Sequence, residues 1–258
     1  FRFLGHVEEV AEPSDFFPAP DTTTTSLGSW PMAGATAQRT SYSTTSISTS
    51  TNAITWYRPI ESYITGSTQL VTSDGNVYVA TADGLIVLNA EDGSLVCRFD
   101  TELPVNTPTV DGGIIYLPGM DRKLYSLDGS TCEEAWEFTA GAGFSGNPLV
   151  SSGQVFATNR DGKAYSIDIV TGTETWSYQT EGPITSSAAG DDGILYFAST
   201  DMYGYALDAS DGSLVWKSPA KLRGFGQFVY WPIIYDNYVI FSVGLPYRYQ
   251  SNPGDQNV

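Results

Sequence analysis

The chain has 258 residues, of which 41% are hydrophobic and 13% aromatic, so it can bury a core and is not disordered as a whole. It carries 29 acidic and 12 basic residues, and a net charge of -17 repels a phosphate backbone, which argues against general nucleic-acid binding. No apolar run approaches the ~20 residues of a membrane span, and the single histidine, His6, argues against multi-histidine metal sites and histidine-based triads.

The first 53 residues are predicted to form an irregular N-terminal arm and lead-in. Three prolines interrupt residues 1–29, and ten of the twelve residues 40–51 are Ser or Thr, a composition that cannot bury a core. The chain begins at Phe1 with neither an initiator Met nor a cationic, apolar leader, as expected of a mature product whose signal segment has been removed or of part of a longer protein. Two cysteines in an acidic, Ser/Thr-rich chain favour one disulfide outside the cytosol.

From about residue 54 the sequence repeats with a period near 40. Trp136, Trp176 and Trp216 are 40 residues apart, and the equivalent positions one and two repeats earlier hold Cys97 and Trp56. Each repeat contains four segments rich in β-branched and aromatic residues, separated by glycine-centred turns, with no sustained helical period. This pattern predicts an all-β fold, a β-propeller of four-stranded antiparallel blades over residues 54–258.

The third turn of each repeat carries a motif. Residues 206–216 read ALDASDGSLVW and residues 166–176 read SIDIVTGTETW, which resembles the tryptophan-docking motif of the pyrroloquinoline-quinone-like β-propellers. Residues 30–34 and 39–43 are similar to the lead-in that these propellers place before their first blade. In that family the Trp of one blade packs on the motif glycine of the next, so the resemblance implies blade-docking contacts. The residues concerned are Trp136, Trp176, Trp216, Gly172 and Gly212.

The same resemblance bears on the two cysteines and on the number of blades. Cys97 occupies the Trp position of its repeat and Cys132 the Gly position of the next, so the two should meet across a blade interface as a disulfide. A fifth blade begins at Val229, but its Trp motif does not arrive. About four and a half blades are therefore expected here, incomplete at the C-terminus. Because such propellers have seven or eight blades, we expect further residues or a partner chain to complete the ring.

Several other patterns have simpler interpretations. Residues 141–146, GAGFSG, fit a dinucleotide-binding string, but a strand-like run follows them, so they are predicted to be an inter-blade loop. The acidic pairs are interpreted as solvated surface, and no metal, cofactor or catalytic residue is predicted. A cluster near the C-terminus is expected either to contact a partner or to form the core of the fifth blade. It comprises Lys221, Arg223, Tyr247, Arg248 and Tyr249.

The sequence favours a non-catalytic propeller outside the cytosol, either periplasmic, secreted or at the cell surface. In that interpretation it is an interaction scaffold or a subunit of a surface assembly, and its partner is a protein or a sister chain. One alternative is a fragment of a quinoprotein dehydrogenase, for which the resemblance implies a quinone cofactor and a vicinal Cys-Cys pair that Cys97 and Cys132 do not form. The other alternative is a propeller that binds a small ligand or a sugar at its mouth.

Overall fold

A computed structural model of the chain describes residues 4–6, 31–39, 54, 56–64, 68–219, 231–235 and 238–241. Within these ranges the chain forms β-strands and no helix, which confirms the all-β prediction. The strands make five separate antiparallel sheets, four of them with four strands joined in sequence order. Such sheets of consecutive strands are the blades expected from the repeat.

The bounds of the blades follow the repeat closely. The first contains β2 (Val71–Ser73), β3 (Asn76–Thr81), β4 (Gly84–Asn89) and β5 (Leu95–Asp100). The second contains β6 (Thr109–Asp111), β7 (Ile114–Pro118), β8 (Lys123–Asp128) and β9 (Glu134–Thr139). The third contains β10 (Leu149–Ser151), β11 (Gln154–Thr158), β12 (Lys163–Asp168) and β13 (Glu174–Gln179). The fourth contains β14 (Ala189–Asp191), β15 (Ile194–Ala198), β16 (Gly204–Asp208) and β17 (Leu214–Lys217).

The fifth sheet differs from the others in its composition. It contains β18 (Ile233–Tyr235), β19 (Tyr238–Ile240) and β1 (Leu4–His6), in the order β1-β19-β18. β1 therefore takes the place that the third strand holds in the other blades. β1 lies within the stretch that the sequence predicts to be irregular, so that prediction is wrong for these three residues. Its pairing partner is more than 230 residues away, and no local sequence pattern predicts the pairing. The described residues 56–64, where the repeat was expected to begin, contain no strand.

Two-residue turns connect the first and second strands of every complete blade. Both residues of each turn have positive φ: Asp74–Gly75, Gly112–Gly113, Ser152–Gly153 and Asp192–Gly193. This is the geometry of a type I′ hairpin, whose twist matches that of the strands it joins. Between the third and fourth strands the register shifts by one residue at the same point in each blade, for example between Ser166 and Ile167.

The core lies between the blades rather than inside any one of them. β7, β11 and β15 are almost wholly buried, whereas the outermost strands β5, β9 and β13 are exposed or partly buried except at Cys97. Middle strands are covered on both faces by neighbouring blades, which explains their continuous apolar runs. The first strands of successive blades also contact one another, β2 with β6, β6 with β10, and β14 with β18, so they surround a common axis.

Candidate functional site

Tryptophan rings lie on glycines at the interfaces between blades. A Cβ placed on Gly172, whose φ is +69°, would lie 2.7 Å from Cδ2 of Trp136, and the Trp136 indole N–H donates to the Ile169 carbonyl at 3.0 Å. Trp176 repeats both contacts one blade later, with Gly212 and with the Ala209 carbonyl. Because the indole ring is large and flat and lies directly on the backbone, only a residue without a side chain fits beneath it. The nearby carbonyl supplies the acceptor that the indole N–H needs.

Trp56 makes the same contact from outside the complete blades. Its ring lies 2.5 Å from the position of a Cβ on Gly93, and its N–H donates to the Ala90 carbonyl at 2.9 Å. Trp56 and Ile60 pack on the face of the first blade that points away from the second. In the other interfaces this Trp belongs to the outermost strand of the preceding blade. Trp56 therefore occupies the position of an outermost strand of a blade before the first.

The disulfide replaces this contact between the first and second blades. Cys97 and Cys132 are bonded, with their Cα atoms 5.6 Å apart, and both are buried. Cys132 has a φ of +59°, close to the +69° of Gly172. A cysteine thus adopts the left-handed conformation that favours glycine, at the position where the alignment of the repeats places it.

The last tryptophan, Trp216, has different neighbours. Its ring contacts Tyr196 at 6.0 Å between centroids and Phe241 edge-on at 6.4 Å. Phe241 also lies over Gly204. The described part of the fifth blade stops at residue 241, and no glycine among the described residues lies beneath the Trp216 ring.

Carboxylates in the turns are engaged in structural hydrogen bonds. Asp168 Oδ1 accepts the backbone N–H groups of Val170 and Thr171, and Asp128 does the same in its blade. Bonds from the Ser130 hydroxyl and backbone lower the pKa of Asp128 to about 2. Such carboxylates stabilise tight turns and are poor proton acceptors at neutral pH.

A second set of carboxylates holds buried tyrosines. Asp121, Asp161 and Asp201 each accept the phenol hydrogen of the tyrosine four residues later. Burial, and then the hydrogen bond, raises the pKa of these tyrosines, so they stay protonated donors at neutral pH. The regular recurrence of the pair in three blades is typical of a structural element rather than of a single active site.

A nine-residue segment, residues 31–39, crosses the ends of the first strands. We call it the axial segment. Its Arg39 is completely buried and donates hydrogen bonds to backbone carbonyls of three different stretches of chain. Gln38 donates its amide to Asp191 at 3.1 Å, and burial raises the pKa of that carboxyl group.

A polar cavity of about 730 Å³ lies between the first and second blades. Asp74, Asp111 and Asp128 line it together with the buried Tyr78, whose pKa is raised by burial. Its wall contains no histidine, cysteine or glutamate. Among the described residues no group of three His, Cys, Asp or Glu side chains is placed to hold a metal ion. In the same part of the chain, no helix has the length and apolar character needed to cross a membrane.

Large apolar side chains are exposed at the two ends of the arc of blades. On the side before the first blade, Tyr57 is 83% and Tyr63 72% exposed. On the far face of the fifth sheet Tyr235 is 72% exposed, and Ile233 and Tyr238 lie beside it, while Ile234 and Val239 are buried against the fourth blade. This alternation follows from the period of a strand, and the other described residues leave the face with Tyr235 exposed.

The remaining predicted residues are placed as follows. Residues 141–146 lie in the connection between β9 and β10, so they form the inter-blade loop that was expected and do not open a helix. The predicted partner-contact residues lie outside the described residues and stay a prediction: Lys221, Arg223, Tyr247, Arg248 and Tyr249. The two cysteines bridge neighbouring blades and are not the vicinal pair that the resemblance associates with a quinone.

These contacts and the sheet order define the chain as part of a β-propeller. The family model described as outer membrane protein assembly factor BamB, a PQQ-like repeat, matches residues 36–122 and 85–242, and the chain belongs to that family. The comparison with curated proteins finds no match.

Solved structures with the same fold serve different functions. BamB from Moraxella catarrhalis is 19% identical, with a TM-score of 0.57 over 64% of this chain and 52% of its own. Quinohemoprotein alcohol dehydrogenase ADHIIG from Pseudomonas putida HK5 is 18% identical, with a TM-score of 0.63 over 75% of this chain and 40% of its own. The computationally designed Ika4 protein is 17% identical, with a TM-score of 0.54 over 61% of this chain and 99% of its own. The chain thus spans about half of BamB and less of the dehydrogenase.

Sequence reasoning missed the roles of Arg39 and Trp56. Arg39 was visible only as part of the lead-in similarity, and nothing marks it as buried, since its partners are backbone carbonyls that any residue supplies. In the sequence Trp56 is one step of the repeat. Its distance of 37 residues from Gly93 could have revealed a docking contact, because Trp136 and Gly172 are 36 residues apart.

Proposed function

We propose that this chain is a non-catalytic, extracytoplasmic propeller that acts by binding other protein, as a scaffold or as a subunit of a surface assembly. The observation that carries the proposal is the exposure of large aromatic side chains at both ends of the arc, Tyr57 and Tyr63 before the first blade and Tyr235 on the fifth sheet. Tyrosine is enriched in protein interfaces, and exposed apolar patches of this kind mark interaction sites. Membership in a family named for an outer membrane assembly factor also supports a role in binding other proteins.

The disulfide and the charge support a location outside the cytosol. A structural disulfide between blades persists in an oxidising compartment and is rare in the cytosol. The composition, with 29 acidic and 12 basic residues, keeps such a protein soluble despite its exposed tyrosines.

Site-specific photo-crosslinking tests the proposal. A photoreactive phenylalanine analogue at Tyr57 or Tyr235 should form adducts with another polypeptide, identified by mass spectrometry, in the natural compartment of the protein. The control position is Val170, which is 80% exposed but lies in a turn of the third blade. Equal crosslinking from all three positions would contradict a specific interface at the ends of the arc.

Dehydrogenase activity is the alternative that the structural neighbours raise. Titration of the chain with pyrroloquinoline quinone and Ca²⁺, followed by absorbance, should show no saturable binding. Saturable binding accompanied by dye-linked oxidation of an alcohol would overturn the non-catalytic proposal.

A further inference from the structure

The axial segment touches the inner strand region of all five blades. It makes at least one hydrogen bond to a residue in, or just before, the first strand of each blade. In the first blade the Gln69 side chain accepts from Gly34 N–H at 3.4 Å, and in the second Val110 N–H donates to the Pro31 carbonyl at 2.8 Å. In the third the Asn147 carbonyl accepts from the Arg39 guanidinium at 3.1 Å. In the fourth Gly190 N–H donates to the Ala37 carbonyl at 3.0 Å, and in the fifth Ile234 N–H donates to the Gln38 carbonyl at 3.2 Å. Nine residues can reach five blades only at the axis around which the blades are arranged.

Arg39 is the anchor of this segment. Its Nε donates to the Ala188 carbonyl at 3.0 Å, and its Nη2 donates to the carbonyls of Asn147 and Pro148 at 3.1 and 3.4 Å. Its Nη1 donates to the Ala33 carbonyl, within the segment itself. The guanidinium carbon lies 5.8 Å from the centre of the Trp231 ring, at the entrance to the fifth blade. The side chain is 0% exposed.

No carboxylate among the described residues pairs with this buried charge. The ion pairs among the described residues are Arg98 with Asp100 and Lys123 with Glu137, and neither involves Arg39. Burial lowers the pKa of Arg39 to about 9, which still leaves it protonated at neutral pH. An unpaired buried cation is costly, so the carbonyl dipoles and the aromatic ring around it must supply the compensation. A planar group with five donors suits carbonyls that converge from several sides, and a lysine ammonium does not.

We infer that the axis of this propeller is a guanidinium-binding site built from backbone carbonyls, and that the chain fills this site with its own Arg39. Residues 31–39 therefore act as an internal ligand that ties the blades together and closes the axis to other ligands. The site has two functional consequences. A partner protein binds elsewhere than at the mouth of the axis, and any loss of Arg39 exposes a receptor for small guanidinium compounds. The inference rests on the axial contacts alone and is independent of the proposed interaction at the ends of the arc.

Chemical rescue of an Arg39→Ala variant of the whole chain tests the inference. Methylguanidinium should bind this variant saturably by calorimetry and should not bind the wild type, whose site is filled. The amides of Val110, Gly190 and Ile234 donate to the axial segment, which Arg39 holds in place. Their hydrogen exchange should rise at least about tenfold in the variant, because the loss of one hydrogen bond to a charged group shifts a local opening equilibrium by more than a factor of ten. Methylguanidinium should restore slow exchange at these amides.

The matched control is Arg98→Ala, which removes an exposed arginine that pairs with Asp100. This variant should bind no methylguanidinium and should keep wild-type exchange at the axial amides. Wild-type exchange in Arg39→Ala, or the absence of saturable methylguanidinium binding to it, would overturn the inference. If Arg39→Ala does not fold, Arg39→Lys carries the test, because it retains the charge without the planar donors. Raised exchange at the three amides then supports the site, and wild-type exchange overturns it.

Discussion

At the scale of single residues, the docking glycines are constrained in two ways. Gly172 has a φ of +69° and also lies beneath the ring of Trp136, so a side chain there would be strained and would collide with the indole. Gly153 has a similar φ of +74°, but the nearest atom to a Cβ would be Ile169 Cγ2 at 3.9 Å. Comparing the two positions separates backbone strain from the contact between blades.

We expect Gly172→Ala to destabilise the protein by about 1–3 kcal/mol more than Gly153→Ala, because only the first adds overpacking to the strain. Urea denaturation monitored by tryptophan fluorescence measures both variants. Equal losses of unfolding free energy would show that the indole gives way and that the contact is unimportant.

The turn carboxylates predict a specific acid sensitivity. The pKa of Asp128 falls from 3.8 to about 2 on folding, so the folded state is stabilised by this group above pH 4 and loses that stabilisation as the pH falls from about 4 to about 2. In Asp128→Asn the melting temperature should therefore depend less on pH within this window. Glu102→Gln, at an exposed carboxylate outside the turn motif, should keep the wild-type dependence. An unchanged slope in Asp128→Asn would contradict the role of the turn.

At the scale of elements, the first and second blades are joined covalently where the others use a tryptophan and a glycine. The disulfide closes a 35-residue loop, for which the chain-entropy model gives about 4 kcal/mol as an upper figure. Cys132 keeps the left-handed backbone of the glycine that it replaces, so the docking geometry is retained although its chemistry has changed.

We expect the double variant Cys97→Ala, Cys132→Ala to lose about 2–4 kcal/mol of stability. The double variant Cys97→Trp, Cys132→Gly should recover part of this loss, because it restores the contact found between the next blades. Thermal unfolding with and without dithiothreitol distinguishes the cases, since only the wild type should respond to the reductant. A swapped variant no more stable than the alanine pair would contradict the equivalence of the two contacts.

Much at this scale could be predicted from the sequence, because blades are local structures. The glycine turns and the four strands of each repeat follow from a period near 40, and the resemblance to tryptophan-docking propellers implies the meeting of Cys97 with Cys132. The pairing of β1 with β19 and the burial of Arg39 could not be predicted, because both depend on backbone groups brought together from distant parts of the chain. The extent of the fifth blade depends on residues that the structure does not describe.

At the scale of the whole molecule, the described blades form an arc whose two ends differ. At one end Trp56 docks on Gly93, as an outermost strand of a preceding blade would. At the other end Trp216 packs on Phe241, and the described residues show no hydrogen bond from its indole N–H. The first end thus has a docking contact without the rest of a preceding blade, whereas Trp216 has no docking glycine among the described residues. Exposed tyrosines lie at both ends.

The tryptophans should accordingly differ in their energetic contributions. Trp136→Ala removes a ring that lies on a glycine and an N–H that is bonded, and we expect a loss of about 3–5 kcal/mol. Trp216→Ala should cost clearly less in the isolated chain, as measured by chemical denaturation. Equal costs would indicate that the fourth and fifth blades are as tightly coupled as the second and third.

The central claim is that these blades form an open arc, and that further residues or a second polypeptide complete the ring. Native mass spectrometry of the protein isolated from its source tests it most directly. We predict a particle heavier than the 27.9 kDa of this chain, containing either further blades in the same polypeptide or a stoichiometric protein partner. A stable, folded particle of 27.9 kDa with no partner would contradict the claim.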